Sequence, residues 1–255
     1  MFNTISNNYD DNTTTAGLVQ KALTAIGVKI PEFASRPAIG APAGDLKDRV
    51  FKCYANGTDP ITDPGVRDEL LRELLAQRFN TDQLHRIEQS KARLQHYIDH
   101  ADTITKKIRE KFTAAVDTLE SAHESLGPVD LYDIKGGTLT EDAAQRRKAQ
   151  EALAVTETIL THWGSVFPLI TRQNPGVAHR EPHLRFMAPT LEQTENHRLA
   201  GGRRADGKML TVWDALGMPI TVELATEPSE VNARYETIHA AAKKRAATAR
   251  SQIRL

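Results

Sequence analysis

Residues 84–126 read LHRIEQSKARLQHYIDHADTITKKIREKFTAAVDTLESAHESL and set the expected architecture of the chain. Apolar residues recur in them at alternating steps of three and four, the spacing of a helix that buries one narrow stripe against partner helices. The apolar positions are Leu84, Ile87, Leu94, Ile98, Ala101, Ile108, Phe112, Ala115, Leu119, Ala122 and Leu126. Lys91 and Thr105 fill the two polar positions of the stripe, and such residues tend to set register and partner number rather than stability.

A returning helix is predicted directly after the first. Gly127-Pro128 ends the long helix, residues 130–139 are a polar reversal, and Thr140 opens a helix that continues to Phe167. We therefore expect a long antiparallel helical hairpin of the coiled-coil type. The second helix is shorter and cannot cover the whole stripe, because it is about two-thirds as long as the first. The uncovered positions, where we expect another subunit or partner to bind, are Leu84, Ile87, Lys91, Leu94, Ile98 and Ala101.

The rest of the chain is predicted as three further regions. Residues 1–60 form an arm with a Pro/Gly linker and two short helices, Ala16–Ile26 and Leu46–Ala55. In the second of these, Leu46, Val50, Cys53 and Tyr54 share one side. Residues 61–170 contain a helix that begins at Asp63-Pro64 and runs to Phe79, followed by the hairpin, and continuity through Asn80–Asp82 is left open. Residues 171–226 are a long loop and a β-hairpin with strands Met209–Trp213 and Ile220–Leu224, and residues 227–255 are a basic helix. The fold class is mainly α.

Composition narrows the class of protein. The chain has 255 residues, with 33 basic and 33 acidic side chains, so the whole molecule has no net field to attract nucleic acid or an anionic membrane. Its one cysteine, Cys53, excludes an intramolecular disulfide and is interpreted as a small apolar residue. No apolar run reaches the length of a membrane span, and residues 1–15 lack the pattern of a signal peptide. We expect a protein without membrane contact, cytoplasmic or assembled inside a cell.

No catalytic signature, cofactor motif or convincing metal set is present, so an enzyme is not the leading hypothesis. The remaining alternative of that kind is a metal-dependent enzyme using His179, His183 and His197. Pro182 argues against a helical pair of metal-binding histidines there. Gly201-Gly202-Arg203-Arg204 resembles a phosphate-binding turn in composition, but no strand precedes it and no helix opens on it.

Local charge suggests a second alternative, a nucleic-acid-associated protein. Residues 171–208 carry a net charge of +3 and residues 228–255 a net charge of +4. The residues expected to contact phosphates or an acidic surface are Arg203, Arg204, Lys243, Lys244, Arg245 and Arg250. Because Tyr235 is the only aromatic residue of the terminal helix, we expect contact with the nucleic-acid backbone rather than base stacking.

The leading hypothesis is a structural or assembly protein. A long helical hairpin with uncovered apolar positions, a flexible arm and a long loop is typical of a chain that associates with itself or bridges partners. Such a protein would be a homo-oligomer or part of a larger assembly, such as a virion or a scaffold.

Overall fold

The computed structural model describes residues 4–30, 32–34, 46–79, 81–131, 140–197, 199, 203 and 208–252. Residues 4–14, 72–79, 81, 82, 84, 140–142 and 250–252 are described by their backbone only. This part of the chain is mainly helical, as predicted. Its α-helices are α1 (Thr4–Ile26), α2 (Leu46–Ala55), α3 (Pro64–Phe79), α4 (Thr81–Asp99), α5 (Ala101–Leu126), α6 (Thr140–Thr171), α7 (Leu191–Asn196), α8 (Val212–Leu216) and α9 (Pro228–Gln252). Two 3₁₀ turns span Gly176–His179 and Pro182–Arg185.

The chain divides into two compact units. Unit 1 comprises Met1–Gly17 and Pro31–His96, and unit 2 comprises Leu18–Ile30 and Tyr97–Leu255. The four regions expected from the sequence, residues 1–60, 61–170, 171–226 and 227–255, remain a prediction.

The core of unit 2 is built on α5 and α6, which pack along one another. The predicted seam positions Ile108, Phe112 and Leu119 are fully buried, and so is Trp163 of α6. A hydrogen bond of 2.7 Å joins the Ser125 hydroxyl, in the last turn of α5, to the side chain of Gln145 near the start of α6. The periodicity of α5 thus predicted its buried face, because one side of this amphipathic helix is removed from water.

The last turns of α1 and the residues after it belong to the same core. Leu23 and Ile26 are buried there. Two lysines of α5 bind the carbonyl end of this segment: Lys111 Nζ donates to the Ile26 carbonyl at 2.6 Å, and Lys107 Nζ donates to the Lys29 carbonyl at 2.8 Å. Cations at a helix C-terminus satisfy carbonyls that have no partner within the helix.

The predicted long helix is interrupted. α4 ends at Asp99 and α5 begins at Ala101, with His100 at φ −105° and ψ 14° between them. Downstream of this interruption Ile104 is fully buried, whereas the predicted seam residue Thr105 is only half-buried and its hydroxyl donates to the Asp102 carbonyl. The strict seam therefore fails at residue 105, where Ile104 is buried instead, while Ile108, Phe112 and Leu119 keep the predicted phase. The question of helix continuity at Asn80 lies outside the described residues.

Residues 171–197 are more ordered than the predicted long loop. Ala178, Leu184 and Met187 of this segment are almost fully buried in the core of unit 2. Thr190 caps α7 in a capping box with Gln193, which satisfies two backbone N–H groups at the helix start. Burial of these apolar side chains is therefore enough to hold the segment in short helical turns, without a long helix or strand.

The predicted β-hairpin is not formed. Residues 212–216, assigned in part to its first strand, are the short helix α8. Among the described residues Val222 pairs with Met187 and Met209 pairs with Arg203, each as an isolated antiparallel bridge, so the two predicted strands do not pair with each other. The physical reason lies at Thr211, whose hydroxyl accepts from the Asp214 N–H while the Asp214 carboxylate accepts from the Thr211 N–H. This capping box starts a helix where alternation suggested a strand.

In unit 1 the helices α2 and α3 pack together. Cys53 is the buried residue of α2, in agreement with its interpretation as an apolar core residue. Arg49 donates to the Glu69 carboxylate at 3.4 Å, and Glu69 is buried. α1 starts at Thr4, so residues 4–15, which precede the predicted helix Ala16–Ile26, have helical backbone.

None of the helices whose residues are described has the combination of length and apolar character needed to cross a bilayer.

Candidate functional site

Two large aromatic side chains of α2 are exposed on one side of the helix. Phe51 is 71% exposed and Tyr54 is 68% exposed, and residues three apart are neighbours on a helix surface. In the turn that follows, Ile61 of the same unit is 67% exposed. The sequence placed Tyr54 on the same side of α2 as Cys53, but Cys53 is buried and Tyr54 is exposed. We call Phe51 and Tyr54 the α2 aromatic pair.

The residues predicted to bind a partner along the long helix differ in exposure. Ile87 is 7% exposed, whereas Leu94, Ile98 and Ala101 are half-buried. Lys91 is exposed, and its Nζ donates to the Glu88 carboxylate at 3.3 Å. Leu84 is described by its backbone only. Ile87 therefore has almost no surface available to a partner, whereas Leu94, Ile98 and Ala101 each have part of their surface available.

The basic residues predicted to contact anions fall into two groups. Lys243, Lys244 and Arg245 are exposed on α9, and Arg250 follows on the same helix as described backbone. Arg245 donates to the Glu195 carboxylate of α7. Arg203 is exposed beside Met209, and Arg204 lies outside the described residues. The structure therefore places one continuous basic segment on the last turns of α9.

Other arginines of the basic regions are structural. Arg234, on the first half of α9, donates to the carbonyls of Leu184 and Glu223 at 2.9 and 3.0 Å. Burial lowers its pKa, although the Glu223 carboxylate lies 3.8 Å away. Arg185 donates to the Ala178 carbonyl, and its guanidinium lies 5.1 Å from the centre of the Trp163 ring. These charges hold chain segments together, so they should not be counted toward an anion-binding surface.

The three histidines proposed as metal ligands are in different environments. His179 is exposed, His197 is half-buried after α7, and His183 is 3% exposed. Within the described ranges, which include all three, no group of three or more His, Cys, Asp or Glu residues has an arrangement that could hold a metal ion. The buried atom His183 Nδ1 lacks a hydrogen-bond partner there, and the Glu181 carboxylate lies 3.6 Å from it. Burial outweighs this carboxylate and lowers the pKa of His183 to about 4.

Sequence reasoning did not find a cavity of about 440 Å³ in unit 2 that Trp213 and His123 line. The two rings meet edge to face with centroids 5.0 Å apart, and Trp213 Nε1 donates to the Val129 carbonyl at 2.9 Å. Asp214 also lines this cavity. Burial raises the pKa of Glu157, and the negative charge of Asp214 raises it further. In the sequence, the capping pattern Thr211-x-x-Asp214 was the available indication of α8, the helix that carries Trp213 and Asp214.

The chain was compared with protein-family models, with curated proteins and with solved structures, and none of the three comparisons found a match.

Proposed function

We propose that this chain is a structural protein of a larger assembly, such as a scaffold or a virion, and that it associates with copies of itself through the α2 aromatic pair. The observation that supports the proposal is the exposure of Phe51 and Tyr54 side by side on one helix. Aromatic residues are enriched where proteins bind one another, since each removes a large apolar area from water at a small cost in side-chain entropy.

The rigid element of the proposed assembly is an antiparallel helical hairpin made by α5 and α6. The bond between Ser125 and Gln145, which joins the end of one helix to the beginning of the next, supports the antiparallel arrangement. The core of unit 2 already covers the apolar face of α5, because Ile108, Phe112 and Leu119 are fully buried. The hairpin therefore has little apolar face left for a partner and would act as a spacer.

The contact surface is consequently assigned to unit 1. Phe51 and Tyr54 provide its anchors, and the half-buried side chain of Leu94 on α4, which belongs to the same unit, remains a proposed contributor. Ile87, which the sequence also placed at this interface, is covered within the chain and would contribute little.

Multi-angle light scattering on the full chain tests this proposal. We expect an oligomer at micromolar concentration, and we expect the double variant Phe51→Ser/Tyr54→Ser to shift the population toward the monomer. The matched control is Met209→Ser, which removes an apolar side chain that is 46% exposed in unit 2 and should leave the mass unchanged. Far-UV circular dichroism shows whether the variants remain helical. A wild-type chain that is monomeric up to 100 µM, or an unchanged oligomer in the double variant, would contradict the proposal.

A further inference from the structure

The last turns of α9 differ from its first turns in what surrounds them. Val231 is fully buried, and Tyr235 and Ile238 pack against the core of unit 2. From residue 239 to residue 249 every side chain is exposed except that of Ala242, which is half-buried. α9 thus leaves the core after Ile238, and its terminal part is a helix surrounded largely by solvent. We call residues 239–252 the α9 extension.

The charge of the α9 extension has one sign. It carries Lys243, Lys244, Arg245 and Arg250 and no acidic residue. Nearly all the remaining positions are alanine, serine or threonine, whose short side chains leave the helix backbone open to close approach. A helix without an apolar face removes little apolar surface from water when it packs on its own protein. Because its charges all have one sign, the surface of the α9 extension is complementary to a polyanion.

Helix geometry places the basic residues on a definite side. Lys243 and Arg250 are seven positions apart and therefore lie within about 20° of each other around the axis, separated by about 10 Å along it. Arg245 lies about 160° from Lys243, and its contact with Glu195 shows that this other side faces α7. Lys243 therefore lies on the side of α9 away from α7, and position 250 of the helix backbone lies on the same side.

We propose that the α9 extension binds the phosphate backbone of a nucleic-acid duplex through Lys243 and Arg250, with Lys244 beside them. A separation of about 10 Å corresponds to about three base-pair steps, so both cations can neutralise phosphates at once. The segment 239–249 contains no Asn or Gln to read bases, and its one ring, His239, packs on Tyr235 with centroids 4.6 Å apart, so the contact is independent of sequence.

Two other anionic partners fit the α9 extension less well. A helix that lies in a membrane surface needs large apolar residues opposite its charges, and residues 239–252 contain none larger than alanine. An acidic protein surface would give a stable complex only with large apolar or aromatic anchors, and the one ring among residues 239–252, His239, already packs on Tyr235. Binding through the α9 extension is independent of self-association through the α2 aromatic pair, because the two surfaces share no residue.

Fluorescence anisotropy with a labelled 20-base-pair duplex of arbitrary sequence tests the proposal on the full chain. We expect binding at 50 mM salt that weakens as salt is raised, with log K falling linearly against log[salt]. The double variant Lys243→Ala/Arg250→Ala should bind about tenfold more weakly and lower the magnitude of the salt slope by about 2, since each phosphate contact contributes about 0.9. Alanine favours helix, so circular dichroism should be unchanged.

The matched control is Arg147→Ala/Lys148→Ala, which removes the same charge from the exposed surface of α6 and should leave the affinity unchanged. Arg245→Ala should reduce the salt slope less than Lys243→Ala does. The proposal is overturned if the wild-type chain does not bind the duplex at 50 mM salt, or if the α9 double variant and the α6 control bind equally. Binding to phosphatidylserine vesicles or to polyglutamate in preference to the duplex would overturn it as well.

Discussion

The helices α2 and α8 are both short and both carry aromatic residues, but these residues are exposed in α2 and buried in α8. α8 has five residues, of which Val212, Trp213 and Ala215 are buried. α2 has ten residues and buries only Cys53, while Phe51 and Tyr54 are exposed. The difference teaches that the apolar content of a short helix does not decide its burial. What decides it is the availability of a surface to pack on, and α8 has one in the Trp213 contacts with His123 and Val129.

The largest expected effect comes from removing the anchor of α8. Trp213→Ala should lower the free energy of unfolding of unit 2 by about 3–5 kcal/mol, because it leaves a cavity and an unsatisfied Val129 carbonyl. Urea titration followed by the fluorescence of Trp163 measures it, since both tryptophans of the chain lie in unit 2. The comparison variant Phe51→Ala, monitored by circular dichroism, should change stability by less than about 0.5 kcal/mol. Similar losses in the two variants would abolish the distinction drawn between the helices.

An intermediate effect is expected from acid, which should act on unit 2 through His183. Its pKa is about 4 in the folded chain against an ordinary 6.5, so between these values the unfolded chain binds a proton that the folded chain does not. The stabilisation is complete above pH 6.5 and is lost as the pH falls toward 4. Between pH 7 and pH 5 the loss amounts to about 2 kcal/mol. α2 contains no histidine and should not respond in this range.

Urea titrations at pH 7 and pH 5, read from tryptophan fluorescence, measure this loss. The variant His183→Leu should show a smaller difference between the two pH values than the wild-type chain. The control His179→Gln changes an exposed histidine four residues earlier and should retain the wild-type difference. A pH dependence that survives in His183→Leu would assign the effect to another group.

The smallest effect is expected at the cap of α8. Thr211→Ala removes the hydroxyl that accepts from the Asp214 N–H and should cost about 1 kcal/mol. Thr211→Ser keeps the hydroxyl and should stay close to the wild-type stability. The midpoint of urea unfolding measures both. If the two variants unfold at the same urea concentration, the cap contributes nothing and the packing of Trp213 alone stabilises α8. The difference between α8 and α2 would then be a difference in packing only.

Several features were predictable because they depend on local spacing. The buried positions Ile108, Phe112 and Leu119 follow from the period of α5, and the start of α6 at Thr140 follows from its capping residues. The buried state of Cys53 follows from its apolar character.

Other features were not predictable because contacts distant in sequence decide them. Ile104 is buried in place of Thr105 just after the interruption at His100, although Ile108 and the later seam positions keep the predicted phase. The strand-like alternation around Trp213 gave way to a capped helix that packs on residues far upstream. Alternation in a window of five residues cannot distinguish these states.

The sequence alone determined that this chain is mainly helical, that Ile108, Phe112 and Leu119 of α5 are buried, and that its C-terminal region is basic. These properties depend on periodicity and charge, which are written along the chain. Tertiary structure alone decided that Phe51 and Tyr54 are exposed while Trp213 is buried, and that Arg234 binds carbonyls while Lys243 faces solvent. The physical reason is that an aromatic ring or a cation has the same intrinsic preference everywhere, and only its neighbours in space determine whether that preference is met inside the protein.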